Sequence, residues 1–136
     1  MFALAVIPLT ILPLIVFNVV GWIFGHDVWS TVLVNITMVS GVPWSFSLGD
    51  LLILFGIGCL FFEILKSTAS TSREIANHIL STVVFVIYLI EFIVVGIAAH
   101  SVFFLLMIIS LFDVIAGFTI SIKTASRDIQ LGRDVQ

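Results

Sequence analysis

The chain has 136 residues, of which 61% are hydrophobic and 10% charged, and its formal net charge is −3. Soluble domains are about half apolar and about a quarter charged, so this composition excludes an ordinary globular domain and a disordered chain. The negative net charge argues against a nucleic-acid binder, and the single cysteine excludes a disulfide framework. We therefore expect one integral membrane domain over residues 1–136, in contact with bound lipid and not with nucleic acid.

Four apolar windows are candidates for membrane-spanning helices, which need about 20 mainly apolar residues. The predicted spans lie at about 3–24, 50–65, 80–99 and 102–122. The second is the shortest and needs flanking residues to match the bilayer. Pro8 and Pro13 each remove a backbone donor from the first window, which predicts a bend or a helix start after Pro13. The fold class is thus an all-α bundle of four spans, with a tail at 123–136 that continues the last helix for a few turns.

The link between the first two spans shows the alternation of a β-hairpin. Apolar and polar residues alternate over 34–38 and again over 44–48, around the turn-forming segment 40–43. This pattern predicts a small hairpin at about 30–48. Its interface candidates are Trp29, Trp44 and Phe46, because tryptophan favours the membrane–water boundary. Two interpretations stay open, in which the hairpin covers the membrane surface or docks a partner protein.

The cations are confined to two segments. They are Lys66, Arg73, Lys123, Arg127 and Arg133. Basic residues in short links mark the cytoplasmic side of a membrane. The pattern therefore predicts cytoplasmic N- and C-termini and an extracytoplasmic hairpin.

Three acidic residues lie inside predicted spans, where carboxylates are costly and rare. Each shares a helix face with small and polar residues. The faces are Gly49, Gly56, Cys59, Glu63 and Ser67 on the second span, Ser81, Tyr88, Glu91 and Ala98 on the third, and Ser110, Asp113, Gly117 and Ser121 on the fourth. Because small and polar residues favour contacts between helices, these faces are predicted to meet one another. At the helical rise, Glu63 lies about 20 Å and Asp113 about 17 Å from the outer end, and Glu91 about 12 Å.

Three interpretations of these acids stay open. As links between helices, they would exchange hydrogen bonds with Tyr88 or Ser110. As a proton or ion site, Glu63, Glu91 and Asp113 would form a relay with those two side chains. As partner-pairing residues, they would meet a cation on another chain. Glu63 also has a local option, because Lys66 follows it by three residues.

The sequence offers no catalytic, metal or cofactor motif. There is no phosphate-binding loop, no Gly-x-Ser-x-Gly and no His-Glu-x-x-His. His78 and His100 lie about 33 Å apart along the third span, which is too far to ligate one haem. We expect a protein that is not an enzyme and holds no metal, and contact with a pigment or quinone is left open.

Five segments carry a resemblance to known proteins. They are Trp44–Asp50, Phe61–Lys66, His78–Ser81, Glu91–Phe92 and Phe112–Phe118. Together they resemble a group of small four-span inner-membrane proteins of alphaproteobacteria, over about residues 44–128. The resemblance implies a bacterial cytoplasmic membrane and implies no activity.

The expected function is that of a non-enzymatic accessory or assembly subunit of a larger bacterial membrane complex, such as a respiratory or photosynthetic one. The alternative is a small oligomeric proton or cation carrier, or channel, that uses the intramembrane carboxylates. The first predicts integral membrane protein partners, and the second predicts a homo-oligomer.

Overall fold

The computed structural model describes residues 6–68 and 74–134. These residues form four α-helices and one two-stranded sheet. The helices are α1 (Ile11–Phe24), α2 (Leu48–Thr68), α3 (Glu74–Val94) and α4 (Ser101–Asp134), and 3-10 turns occupy His26–Ser30 and Gly96–Ala98. We call the end of the bundle that carries the sheet the hairpin end and the other end the opposite end.

Three of the helices are long and apolar enough to cross a membrane, namely α2, α3 and α4. α2 extends beyond its predicted window on both sides and reaches 21 residues. α4 continues through most of the tail to Asp134 and reaches 34 residues. α4 packs along both α2 and α3, while α1 lies mainly against α2.

α1 is shorter than the first span predicted at 3–24. It has only 14 residues, or about 21 Å, against a hydrocarbon core of about 30 Å. The helix starts at Ile11, before Pro13 and not after it, because proline is tolerated in the first turn, where its missing N–H has no intrahelical partner. A turn precedes the helix, in which the N–H of Ile11 donates to the carbonyl of Pro8 over 3.2 Å. The part of the predicted span at residues 1–5 lies outside the described residues.

The predicted hairpin is confirmed. Strands β1 (Val32–Thr37) and β2 (Pro43–Ser47) pair antiparallel, with Ile36 opposite Trp44. The turn needs a left-handed residue, and Gly41 supplies it with φ of 84°. The N–H of Met38 closes the turn by donating to the carbonyl of Val42 over 2.9 Å.

An aromatic core fills the bundle near the hairpin end. Phe17 is fully buried and stacks on Trp29, with ring centroids 5.0 Å apart. Phe103 lies 4.9 Å from Phe17 and 5.3 Å from Tyr88. Trp29, an interface candidate from the sequence, is therefore a core residue with only 2% of its surface exposed. The 3-10 turn places its indole against Phe17 of α1.

The predicted small and polar face of α2 is the buried face of that helix. Its buried residues include Gly49, Gly56, Cys59, Glu63 and Ser67. Ser110, Asp113 and Gly117 are likewise buried on α4, while the side chain of Ser121 lies outside the described part. The glycines are needed for close approach, since a Cβ at Gly49 would lie 2.9 Å from the backbone oxygen of Trp29.

Candidate functional site

Backbone groups in the turn before α1 require hydrogen-bond partners outside the helix. The helix begins level with Glu63, five residues before α2 ends at Thr68. Backbone groups in the turn before a helix have no intrahelical partners, and side chains can satisfy them. The N–H of Leu9 donates to Oε2 of Glu63 over 2.9 Å, and Lys66 Nζ donates to the carbonyl of Ile7 over 3.1 Å.

Glu63 is fully buried and has three donors around its carboxylate. Besides Leu9, they are Lys66 Nζ at 3.3 Å from Oε2 and Asn77 Nδ2 at 2.9 Å from Oε1. The local pairing of Glu63 with Lys66 that the sequence suggested is therefore present. The negative charge of Glu63 is compensated within the chain, as a buried carboxylate requires.

Asp113 meets the same turn from α4. Its carboxyl is almost fully buried, and Thr10 Oγ1 donates to Oδ2 over 3.3 Å. The carbonyl of Thr10 accepts from the hydroxyl of Tyr88 over 2.9 Å. Both carboxylates thus stand at the N-terminus of α1, where the helix dipole favours negative charge. We call Thr10, Glu63, Asn77, Ser81 and Asp113 the polar cluster.

Several buried polar atoms beside this network have no hydrogen-bond partner among the described residues. In the polar cluster they are Asn77 Oδ1 and Ser81 Oγ, and elsewhere in the spans Ser110 Oγ and Glu91 Oε1. Ser81 faces the carboxyl of Asp113. Buried polar atoms in native proteins are nearly always satisfied, so these positions call for water or a ligand.

Glu91 stands apart from the other two acids. The described hydrogen bonds link Glu63 and Asp113 to the turn before α1, and none of them joins Glu91 to that network. Its carboxyl lies beside the side chain of Asn18 in α1, which is two turns closer to the hairpin end than Thr10. Tyr88 lies between the two regions, one turn from Glu91 on α3.

Two members of the polar cluster were missed in the sequence. Thr10 was counted as an ordinary residue of the first span, although Pro8, which lacks a backbone donor, lies only two residues before it. Asn77 was assigned to the link between spans. Its position four residues before Ser81 would have extended the polar face of the third helix by one turn.

A second titratable pair lies in the links at the hairpin end. The rings of His26 and His100 meet edge to face, with centroids 4.7 Å apart. Nδ1 of His100 accepts from the N–H of Val102 over 3.0 Å, so this nitrogen carries no proton. Burial lowers the pKa of His100, His26 lowers it further, and Asp27 opposes both effects.

Comparisons with known proteins add no constraint, because no protein-family model, curated protein or solved structure matches the chain. The chemistry of the site must be judged from its own atoms. The polar cluster offers carboxylate, hydroxyl and amide oxygens inside an apolar bundle. Within residues 6–68 and 74–134, no group of three His, Cys, Asp or Glu side chains is placed to hold a metal ion.

Proposed function

We propose that this protein is a non-enzymatic integral subunit that attaches to a larger bacterial membrane complex through its hairpin. The observation that carries the proposal is the apolar face of that hairpin. It consists of Val34, Ile36, Trp44 and Phe46, and we call it the hairpin face.

The hairpin face is continuous and open. The register sets Val34 opposite Phe46 and Ile36 opposite Trp44, so all four side chains point to one side of the sheet. Ile36 is 49% exposed and Trp44 48% exposed. Contiguous exposed apolar surface of this kind is typical of protein contacts.

The strand edges support the same role. The sheet has two strands within the described residues, so each strand has an outer edge without a β partner. Proteins that avoid pairing place lysine or proline on such edges, and β1 (Val32–Thr37) has neither. An extended segment of a partner protein would satisfy this edge by adding a strand, and its apolar side chains would cover the hairpin face.

The lack of basic residues in the link favours a protein over a lipid surface as the partner of the hairpin face. Segments that bind anionic headgroups use lysine or arginine, and the link at 25–49 contains neither. The membrane-embedded acids are a poorer contact for a partner, because Glu63 already pairs with Lys66. Lys66 and Arg133 lie toward the opposite end. Their position supports an orientation with the hairpin outside and both termini on the cytoplasmic side of a bacterial inner membrane.

The test is recovery of the protein from native membranes in mild detergent, followed by a native gel and mass spectrometry. The wild type is expected to migrate with a heterologous partner in fixed stoichiometry. Ile36→Ser with Trp44→Ser is expected to migrate alone, because it removes the centre of the hairpin face. The matched control, Asn35→Ser with Thr37→Ser, changes the other side of the same strand and is expected to stay in the complex. A wild type that runs alone or only with copies of itself would reject the proposal, as would retention of the Ile36→Ser, Trp44→Ser variant.

An oligomeric proton or cation carrier is the second candidate. The observation in its favour is the set of unpartnered buried atoms at Ser81, Ser110 and Glu91, since such groups line ion pathways in membrane proteins. Flux in proteoliposomes that is abolished by Glu91→Gln would support it. Flux that survives this substitution would remove Glu91 from any relay.

A further inference from the structure

We propose that the polar cluster binds one monovalent cation, a proton or a sodium ion, at Asp113. The site lies inside the bundle toward the opposite end, and it requires neither transport nor the docking of a partner on the hairpin face. It rests on the positions of oxygen atoms, on the charges around them and on two buried side chains with unmet hydrogen bonds.

Four separate elements contribute oxygen atoms to the polar cluster. The turn before α1 supplies the hydroxyl of Thr10, and α2 and α4 supply the carboxyl groups of Glu63 and Asp113. α3 supplies the amide of Asn77 and the hydroxyl of Ser81, which lie on one face because they are four residues apart. None of the five residues exposes more than 6% of its surface. Carboxylate, carbonyl and hydroxyl oxygens are the ligands that hard cations prefer.

The distribution of charge leaves Asp113 short of a direct partner. Lys66 Nζ contacts Oε2 of Glu63 and the carbonyl of Ile7, and the described ion pair of Lys66 is with Glu63 and not with Asp113. On α3, His78 is the titratable group that faces this region, with its ring against Gly117, one turn along α4 from Asp113. α1 presents a hydroxyl and the partial positive charge of its N-terminus. When both carboxyls are ionised, Glu63, Asp113 and Lys66 together carry one net negative charge, which a monovalent cation neutralises.

The unpartnered atoms are oxygen atoms, which can coordinate a cation. Asn77 donates its Nδ2 to Glu63, so its remaining atom, Oδ1, can only accept, and nothing in the described part donates to it. Ser81 Oγ lies beside the carboxyl of Asp113, but it makes no hydrogen bond of standard geometry to any described residue. A divalent metal is disfavoured, because Lys66 lies beside Glu63 and already neutralises one of the two carboxylates.

The experiment uses the full chain in detergent and compares thermal unfolding in sodium, potassium and choline chloride at neutral and mildly acidic pH. A sodium site predicts a midpoint that is a few degrees higher in sodium than in choline at neutral pH, with the difference lost in acid as protons compete. A proton site predicts no difference among the salts. It predicts instead an infrared carbonyl stretch of a protonated carboxylic acid that disappears in Asp113→Asn. Glu91→Gln is the matched control, because it removes a different acid in a span, and it is expected to retain either signal.

Ser81→Ala keeps both carboxyl groups. It provides a second test of the site in case Asp113→Asn fails to fold. It is expected to weaken the apparent sodium affinity several-fold, or to shift the frequency of the carboxylic acid band. The proposal is overturned if the wild type shows neither a sodium-specific shift nor the band. It is also overturned if either signal persists unchanged in both Asp113→Asn and Ser81→Ala.

Discussion

The backbone N–H of Leu9 donates to Oε2 of Glu63 over 2.9 Å, and this contact explains why an acid is buried in α2. The turn before α1 leaves backbone groups that have no intrahelical partners. Lys66 satisfies the carbonyl of Ile7, and Tyr88 satisfies the carbonyl of Thr10. The described polar side chains thus hold a short first helix in place, and of the three interpretations of Glu63 the contacts favour the link between helices.

Removing the Glu63 carboxylate is expected to destabilise the bundle. Glu63→Ala leaves the N–H of Leu9 and the amide of Asn77 without their acceptor. It also removes the counter-ion of Lys66. We expect a loss of about 3 kcal/mol in the free energy of unfolding, at the low end for a broken buried pair, because Lys66 can reach the surface. Glu63→Gln keeps an acceptor for Leu9 and is expected to cost less. Denaturant titration in mixed micelles measures both, and an alanine variant as stable as the wild type would contradict this role.

The Tyr88 hydroxyl provides a more selective probe of the same turn. Tyr88→Phe preserves the ring contact with Phe103 and removes only the hydrogen bond to the carbonyl of Thr10. We expect a cost of about 1–2 kcal/mol, because the carbonyl then lacks a partner inside the membrane. Faster hydrogen exchange should appear at the first amides of α1, measured by mass spectrometry, and not across α4. Unchanged exchange at α1 would show that this bond does not secure the turn.

Two glycines of α2 form a matched pair for testing the packing. A Cβ at Gly49 would lie 2.7 Å from Val102 Cγ2 and 2.9 Å from the backbone oxygen of Trp29, whereas a Cβ at Gly58 meets nothing within 4 Å. Gly49→Ala is therefore expected to cost about 1–3 kcal/mol of unfolding free energy. Gly58→Ala is expected to be neutral or to stabilise by up to about 1 kcal/mol through helix propensity. Equal effects in unfolding titrations would refute the close approach at Gly49.

The link between α3 and α4 is expected to make stability depend on pH. Burial lowers the pKa of His100 from its ordinary value of 6.5, with a further contribution from His26. The folded state therefore binds fewer protons than the unfolded state, and the stabilisation is complete above that ordinary value and is lost as the pH falls below it. His100→Asn keeps an acceptor for the N–H of Val102 without titrating. Its thermal midpoint should vary less with pH than that of the wild type, and equal pH profiles would exclude His100 as the cause.

The sequence predicted more of the helix faces and of the hairpin than of the polar contacts. Residue spacing alone identified the buried face of α2, because the period of the helix fixes which side chains share a side. Alternation and a glycine turn located the hairpin, because a strand has a period of two. Neither the helical period nor the strand period specifies where one element contacts another in three dimensions.

The wrong predictions concern contacts between different elements and the start of α1. Trp29 was predicted at the membrane boundary from its residue type, but the 3-10 turn places its ring on Phe17. Thr10 was hidden inside an apolar window, and its partner Asp113 lies 103 residues away in the sequence. The length of α1 was overestimated because hydropathy does not register the backbone donor that Pro8 lacks.

The most direct test of the proposed function is photo-crosslinking in native membranes. A photoreactive amino acid is placed at Trp44 on the hairpin face, and in a second variant at Asn35 on the other side of the sheet. We predict one heterologous polypeptide attached to position 44 in high yield and little adduct at position 35. Adducts at position 44 that contain only lipid, or only a second copy of this chain, would contradict the assignment as a subunit of a larger complex.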